Sequence, residues 1–258
     1  MTGPSVVLET RGLTKQFRGF VAVNGVELAV ELGAVHALVG PNGAGKTTLF
    51  HLLSGFLRPS SGQILLAGQD VTGLRADQMV HRGMARSFQI TSLFPQLPLR
   101  NHVELALQGR CREGLRFWRS DRLLDIHRTR AESLLDDVGL SSLADVPAHA
   151  VSYGQKRALE LAIALALDPR VLLLDEPTAG MGVEDVRRTV DLIRRVRDGR
   201  TVVLVEHNMR VVGTLADRVT VLQRGRVLAE GGYAEVRDDP RVITAYLGEA
   251  PGGGASVA

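Results

Sequence analysis

Three groups of residues in this chain have the types and settings that chemistry uses. One is a glycine-rich run closed by a lysine and a hydroxyl, another is a carboxylate pair behind an apolar run, and the third is a histidine behind a second apolar run. The glycine-rich run is Gly40-Pro41-Asn42-Gly43-Ala44-Gly45-Lys46-Thr47, followed by Thr48, and its two outer glycines are separated by four residues. That spacing fits a phosphate-binding loop. The glycines permit positive φ, so successive backbone N–H groups converge on phosphate oxygens, and a helix starting near Gly45 aims its positive dipole end at the same point. Lys46 then reaches the β- and γ-phosphates of a nucleotide, and the Thr47 hydroxyl is placed to ligate magnesium. All but three of the 31 Lys and Arg residues are Arg, the exceptions being Lys15, Lys46 and Lys156. A chain with that preference has lysine where a compact ammonium fits a tight loop and a planar guanidinium does not. The plainer alternative is a glycine turn before a helix, and the apolar strand leading into this loop argues for the phosphate site.

These residues need elements to hold them. Val35 to Val39 reads as a short strand running into the loop, and Lys46 to Leu53 continues at helical spacing. Val171 to Leu174 is apolar throughout, as a strand buried on both faces requires, and it delivers Asp175 and Glu176 at its carboxyl end. Thr201 to Val205 is another buried strand, ending on Glu206 and His207. Further strands are expected at Val6 to Thr10, Val21 to Val30, Gln63 to Ala67 and Arg86 to Gln89, with a closing hairpin of Val219 to Leu222 and Arg226 to Ala229. The helical period dominates from Ser92 to Leu167, with helices at Asn101 to Gln108, Arg128 to Val138 and Ser152 to Leu167, and Glu184 to Val196 is amphipathic. The expectation is therefore an α/β fold in one domain over 1–250, with a core of about 1–90 and 168–250, a helical subdomain of about 91–167, and a glycine-rich mobile tail over 251–258.

The order of these pieces resembles the ABC ATPases over nearly the whole chain, from about Leu8 to Glu249. Val171-Leu-Leu-Leu-Asp175-Glu176-Pro177 resembles the Walker B strand, and Val151-Ser152-Tyr153-Gly154-Gln155 resembles the signature usually written LSGGQ. Ser152 followed three residues later by Gln155 is equally a capping box, and the two roles are compatible because a capped helix N-terminus also attracts anions. The resemblance implies a P-loop ABC ATPase fold: a RecA-like core, an N-terminal antiparallel β-subdomain and an inserted α-helical subdomain. It implies ATP and Mg2+ as ligands, with Asp175 holding the metal beside Thr47 and Gln89, and with Glu176 as general base assisted by His207 and Lys46. It places Phe17 against the adenine, Gln89 at the joint between lobes, and Ser152, Gly154 and Gln155 on the γ-phosphate held by a second subunit. Two positions depart from the common pattern: Tyr153 replaces a glycine, and Gly182 stands where the D-loop usually ends in Asp, which removes a side chain that bonds across the dimer.

The strings Val151 to Glu160, Asp175 to Met181, Val205 to Met209 and Ala245 to Glu249 look like one of the paired ATPases of branched-chain amino-acid importers. That likeness implies a homo- or heterodimer of ATPases, two membrane permeases, and indirectly a periplasmic or extracellular solute-binding protein. Another amino acid, an amide such as urea or an aromatic acid remains open as the solute. A formal charge of +3 is too small for a nucleic-acid footprint, so no nucleic-acid partner is expected. The longest apolar runs fall far short of a membrane span and Met1 to Thr10 has no secretory pattern, which together predict a cytoplasmic protein on the inner face of the membrane. The stretch Arg110 to Arg130 carries seven Arg with Phe117 and Trp118 between them, a solvated helical face or a contact with a membrane subunit or anionic lipid.

Overall fold

The computed structural model describes residues 5–87, 93–110 and 121–247. Strands β1 (Val6–Phe17) and β2 (Phe20–Glu31) form a long hairpin closed by Arg18 and Gly19, both at positive φ, as a two-residue turn matched to strand twist requires. The sequence predicts an end for β1 at Thr10. The strand instead passes through Gly12, where positive φ and a register shift between Thr10 and Leu13 absorb the break as a bulge. With β4 (Ser61–Leu66) and the two-residue β5 (Gln69–Asp70), these strands make a four-stranded antiparallel sheet ordered β2-β1-β4-β5.

The second sheet has six strands ordered β10-β9-β3-β8-β7-β6. They are β3 (Val35–Val39), β6 (Met84–Arg86), β7 (Val171–Asp175), β8 (Thr201–Val205), β9 (Arg218–Gln223) and β10 (Arg226–Gly231), parallel from β9 to β6, with β10 antiparallel at one edge. Successive strand residues point to opposite faces, so each face builds its own core. Ala37, Leu172, Leu174, Val202 and Leu204 join one buried cluster with the helices, while Leu38, Val171, Leu173, Val203 and Val205 join another. The second cluster includes Leu49, Phe50, Leu52 and Leu53 of α1 (Lys46–Leu53) and Leu8, Leu13, Val26 and Ile64 of the antiparallel sheet. It therefore welds the small sheet to the large one.

On the other face, α3 (Leu99–Arg110), α4 (Asp121–Asp137) and α5 (Tyr153–Ala166) pack against one another, and their apolar residues share one cluster with α6 (Val183–Val196) and α7 (Met209–Leu215). Helix α5 starts at a real capping box: Gln155 N–H donates to Ser152 Oγ at 3.3 Å and Ser152 N–H donates to Gln155 Oε1 at 2.8 Å. Helix α6 has Glu184 and Asp185 in its first turn and Arg194 and Arg195 in its last, which suits its dipole. Four short helices, α2 (Ala76–His81), α7, α8 (Tyr233–Asp238) and α9 (Pro240–Leu247), add to the expected set. Among the described residues, no helix is long and apolar enough to cross a membrane.

Candidate nucleotide site

Strands β3, β8 and β7 are parallel neighbours, so the loops leaving their carboxyl ends meet along one edge of the sheet, where ligands bind in folds of this kind. These loops are the glycine run after Val39, the Glu206–Asn208 turn after Val205, and the stretch from Glu176 onward. Gly40, Gly43 and Gly45 all take positive φ. A side chain at Gly40 would collide with the Leu222 carbonyl oxygen, and one at Gly45 with that of Ala22, so the loop packs too closely on its neighbours for any other residue. Its outer side is braced by the β9–β10 turn, where Gly225 N–H donates to the Ala44 carbonyl at 2.9 Å. Lys46, on the first turn of α1, is nearly buried and folds back into the loop, donating to the carbonyls of Gly40 at 2.6 Å and Pro41 at 3.0 Å. Burial lowers its pKa from the ordinary lysine range, opposed by the negative charge of Glu176.

Asp175 is not free. Its carboxylate takes a 2.6 Å ion pair from Arg86, with both side chains only 11–12% exposed. The Arg86 guanidinium lies 5.0 Å from the Phe50 ring centroid and 5.2 Å from that of Phe56, which fixes its plane. Glu176 sits at φ 45°, a left-handed conformation rare for a residue with a side chain, and its N–H is held by the Val205 carbonyl at 2.9 Å. Its Oε1 lies 3.7 Å from His207 Nδ1, so two side chains from adjacent loops face each other beside the lysine. Among the described residues, no three His, Cys, Asp or Glu cluster as a metal cage. The Thr47 hydroxyl and the Asp175 carboxylate are oxygen donors of the kind that suits magnesium, and an ion held there would compete with Arg86 for Asp175.

Phe17 stands at the hairpin tip opposite Phe20, 42% exposed, with Lys15 Nζ 5.1 Å from its ring centroid. Phe20 is more exposed, at 66%, so the tip presents two aromatic rings rather than one. Gln89 lies outside the described residues, as do the middle of the Arg110–Arg130 stretch and the tail over 251–258. Ser152, Gly154 and Gln155 are not brought to the phosphate loop. They line a separate cavity of about 520 Å³ with Val138, Leu140, Asp185 and Arg188. Tyr153 donates from its hydroxyl to the Ala179 carbonyl at 3.2 Å, tying the start of α5 to the loop after Glu176. Gly182 is the N-cap of α6 and supplies no side-chain bond there. The sequence pointed to neither Arg86 nor Glu206, although a charged residue directly after an apolar strand, as at Glu206, is a signal that could have been followed.

A family model described as ABC transporter matches residues 23–179, and one described as branched-chain amino acid ATP-binding cassette transporter matches residues 226–251. The high-affinity branched-chain amino acid transport ATP-binding protein BraF of Pseudomonas aeruginosa is 39% identical over 254 residues, covering 95% of this chain and 98% of BraF. The ADP conformation of MJ1267, an ATP-binding cassette of an ABC transporter, superposes with a TM-score of 0.82 at 27% identity, covering 95% of this chain and all of MJ1267. The dimeric post-hydrolysis state of the cassette MJ0796, bound to ADP and Pi, superposes at 0.75 and 25% identity over 88% of this chain and 98% of that one.

Proposed function

This chain belongs to the ABC transporter family of ATP-binding subunits, and on that premise we propose that it powers import of branched-chain amino acids through separate membrane permeases. The observation that carries the chemistry is the meeting of Lys46, Glu176 and His207 at one sheet edge, with Glu176 and His207 3.7 Å apart. Magnesium would be held by the Thr47 hydroxyl and Asp175, and would supply positive charge against the phosphates. The protein supplies the rest. The loop amides and Lys46 hold the phosphates, the ammonium exchanging its two carbonyl partners for phosphate oxygens. Glu176 accepts a proton from the attacking water, and His207 orients that water and the terminal phosphate. Phe17 would stack on the base, and the family resemblance gives Gln89 the role of a metal contact.

Ser152 and Gly154 complete the site of a second ATPase subunit, because they lie away from this chain's own phosphate loop. Two cassettes therefore close on two nucleotides, and hydrolysis separates them. The span of about 91–167, in which α3, α4 and α5 pack together, is the helical subdomain of this reading. The run Thr91–Arg100, whose Phe94 is exposed, receives a cytoplasmic helix of the permease, which places this subunit on the inner face of the membrane. The solute assignment rests on the likeness to BraF and on the match at 226–251. Membrane vesicles carrying the chain with its permeases and solute-binding protein test it. Labelled leucine should accumulate with ATP and not with a Glu176→Gln chain. ATP-driven uptake of a different solute, with leucine excluded, would overturn the assignment.

A further inference from the structure

Glu206 is wholly buried, and its carboxylate links two loops of the site. Oε1 accepts the Thr178 N–H at 3.1 Å and the Thr178 hydroxyl at 2.5 Å. Oε2 accepts the His207 N–H at 3.1 Å and the Asn208 N–H at 3.2 Å. One side chain thus holds the backbone two residues beyond Glu176 and the backbone of His207 itself. Asn208 in turn caps α7, accepting from the N–H groups of Arg210 and Val211, so the same carboxylate sets where that helix begins. We propose that Glu206 is a positioning residue that locks Glu176 and His207 into register for ATP hydrolysis, and this rests on the hydrolytic reading above.

The chemistry demands a carboxylate. All four partners are donors, and among side chains of this length only a carboxylate offers two acceptor oxygens and no donor. An amide places an NH2 group either against the buried Thr178 N–H, leaving it unpaired while the Thr178 hydroxyl can turn to accept, or against the His207 and Asn208 N–H groups, leaving both of those unpaired. The loop on that side then shifts. A displacement of about 1 Å in a reacting group can cost about a hundredfold in rate. Nucleotide affinity comes from the phosphate loop, which Glu206 does not touch in this structure, so the loss falls on kcat and not on KM.

The test uses the full-length chain with its partner ATPase and two independent readouts. In steady-state hydrolysis, Glu206→Gln should lower kcat by ten- to a hundredfold, as about that displacement implies, with the KM for ATP within about twofold. Thr178→Val removes one donor at nearly constant shape and should lower kcat less, while Thr178→Ser, which keeps the hydroxyl, restores most of that loss. In amide hydrogen exchange, which needs no turnover, Thr178→Val should speed exchange at His207 and Asn208, which are distant in sequence but joined to Thr178 through Glu206. Exchange at those amides unchanged in both variants would overturn the proposal whatever the activity. So would a Glu206→Gln chain with wild-type kcat, or one losing kcat and KM together in step with its melting temperature. An inactive wild type would instead sink the hydrolytic reading, and the exchange coupling would still decide whether the clamp exists.

Discussion

Replacing Arg86 with alanine removes the guanidinium that pairs with the Asp175 carboxylate at 2.6 Å. The magnitude follows from burial. Both side chains are only 11–12% exposed, so Arg86→Ala strands a carboxylate in a nearly dry site, for which the cost is about 3–5 kcal/mol. The contacts of the guanidinium with the Phe50 and Phe56 rings are lost as well, at about 0.5–1 kcal/mol each. Some relaxation of the site and entry of water offset part of this, so the expected loss is about 4 kcal/mol, a large share of the roughly 5–15 kcal/mol that stabilises a typical domain. Urea unfolding followed by circular dichroism should show the midpoint fall with the slope unchanged. An Arg86→Ala, Asp175→Asn double variant should recover part of the loss, because the stranded charge is gone. Saturating MgATP should narrow the deficit of Arg86→Ala, since it brings a cation to Asp175, and ATP with excess chelator should not. A loss below about 1 kcal/mol, the range of exposed pairs, would refute the claim that this pair is a buried structural element.

Other perturbations probe the phosphate loop and the buried carboxylate of α5. Lys46→Ala removes the charge aimed into the phosphate loop and should abolish tight MgATP binding in a calorimetric titration; unchanged affinity would remove Lys46 from the site. Gly45→Ala drives a methyl into the Ala22 carbonyl at a positive-φ position, so it should weaken nucleotide binding at least tenfold, or about 1.4 kcal/mol, while Gly199→Ala, at positive φ with open space around it, should leave affinity unchanged. Glu160 lies buried on α5, and burial raises its pKa from 4.5 to about 7 against the opposing pull of Arg157. The native state therefore keeps a proton that the unfolded chain releases near pH 4.5, so this group's stabilising contribution is lost as pH rises toward about 7. Denaturation at pH 5 and pH 7.5 should show that loss in the wild type and a flatter dependence in Glu160→Gln.

The parts of the site legible in the sequence are those whose chemistry is local. The phosphate loop is a contiguous string whose glycines are required by backbone geometry, and β3, β7 and β8 read as apolar runs because strands buried on both faces admit little else. The six-stranded order was not legible, since it depends on which buried strands pair, and all of them look alike in sequence. Nor was the pairing of Asp175 with Arg86, which joins residues on different strands 89 positions apart. Glu206 is not legible either, since only the arrival of Thr178 from the neighbouring loop makes it a buried acceptor. Helices α2, α7, α8 and α9 are not legible because at six to eight residues they hold too few apolar positions to establish a period.

The shared site proposed above puts ATP between two cassettes, with Lys46 and Glu176 from one and Ser152 and Gly154 from the other. Glu176→Gln keeps size and hydrogen bonding but removes the basic carboxylate, so the nucleotide should bind and the closed pair should accumulate. Light scattering of Glu176→Gln chains with MgATP, in the presence of the partner ATPase, should give the mass of a dimer. A Ser152→Arg, Glu176→Gln chain, with a bulky cation where the signature must approach, should remain monomeric. Dimers from both proteins alike would make Ser152 a helix cap and nothing more, and would contradict the shared site.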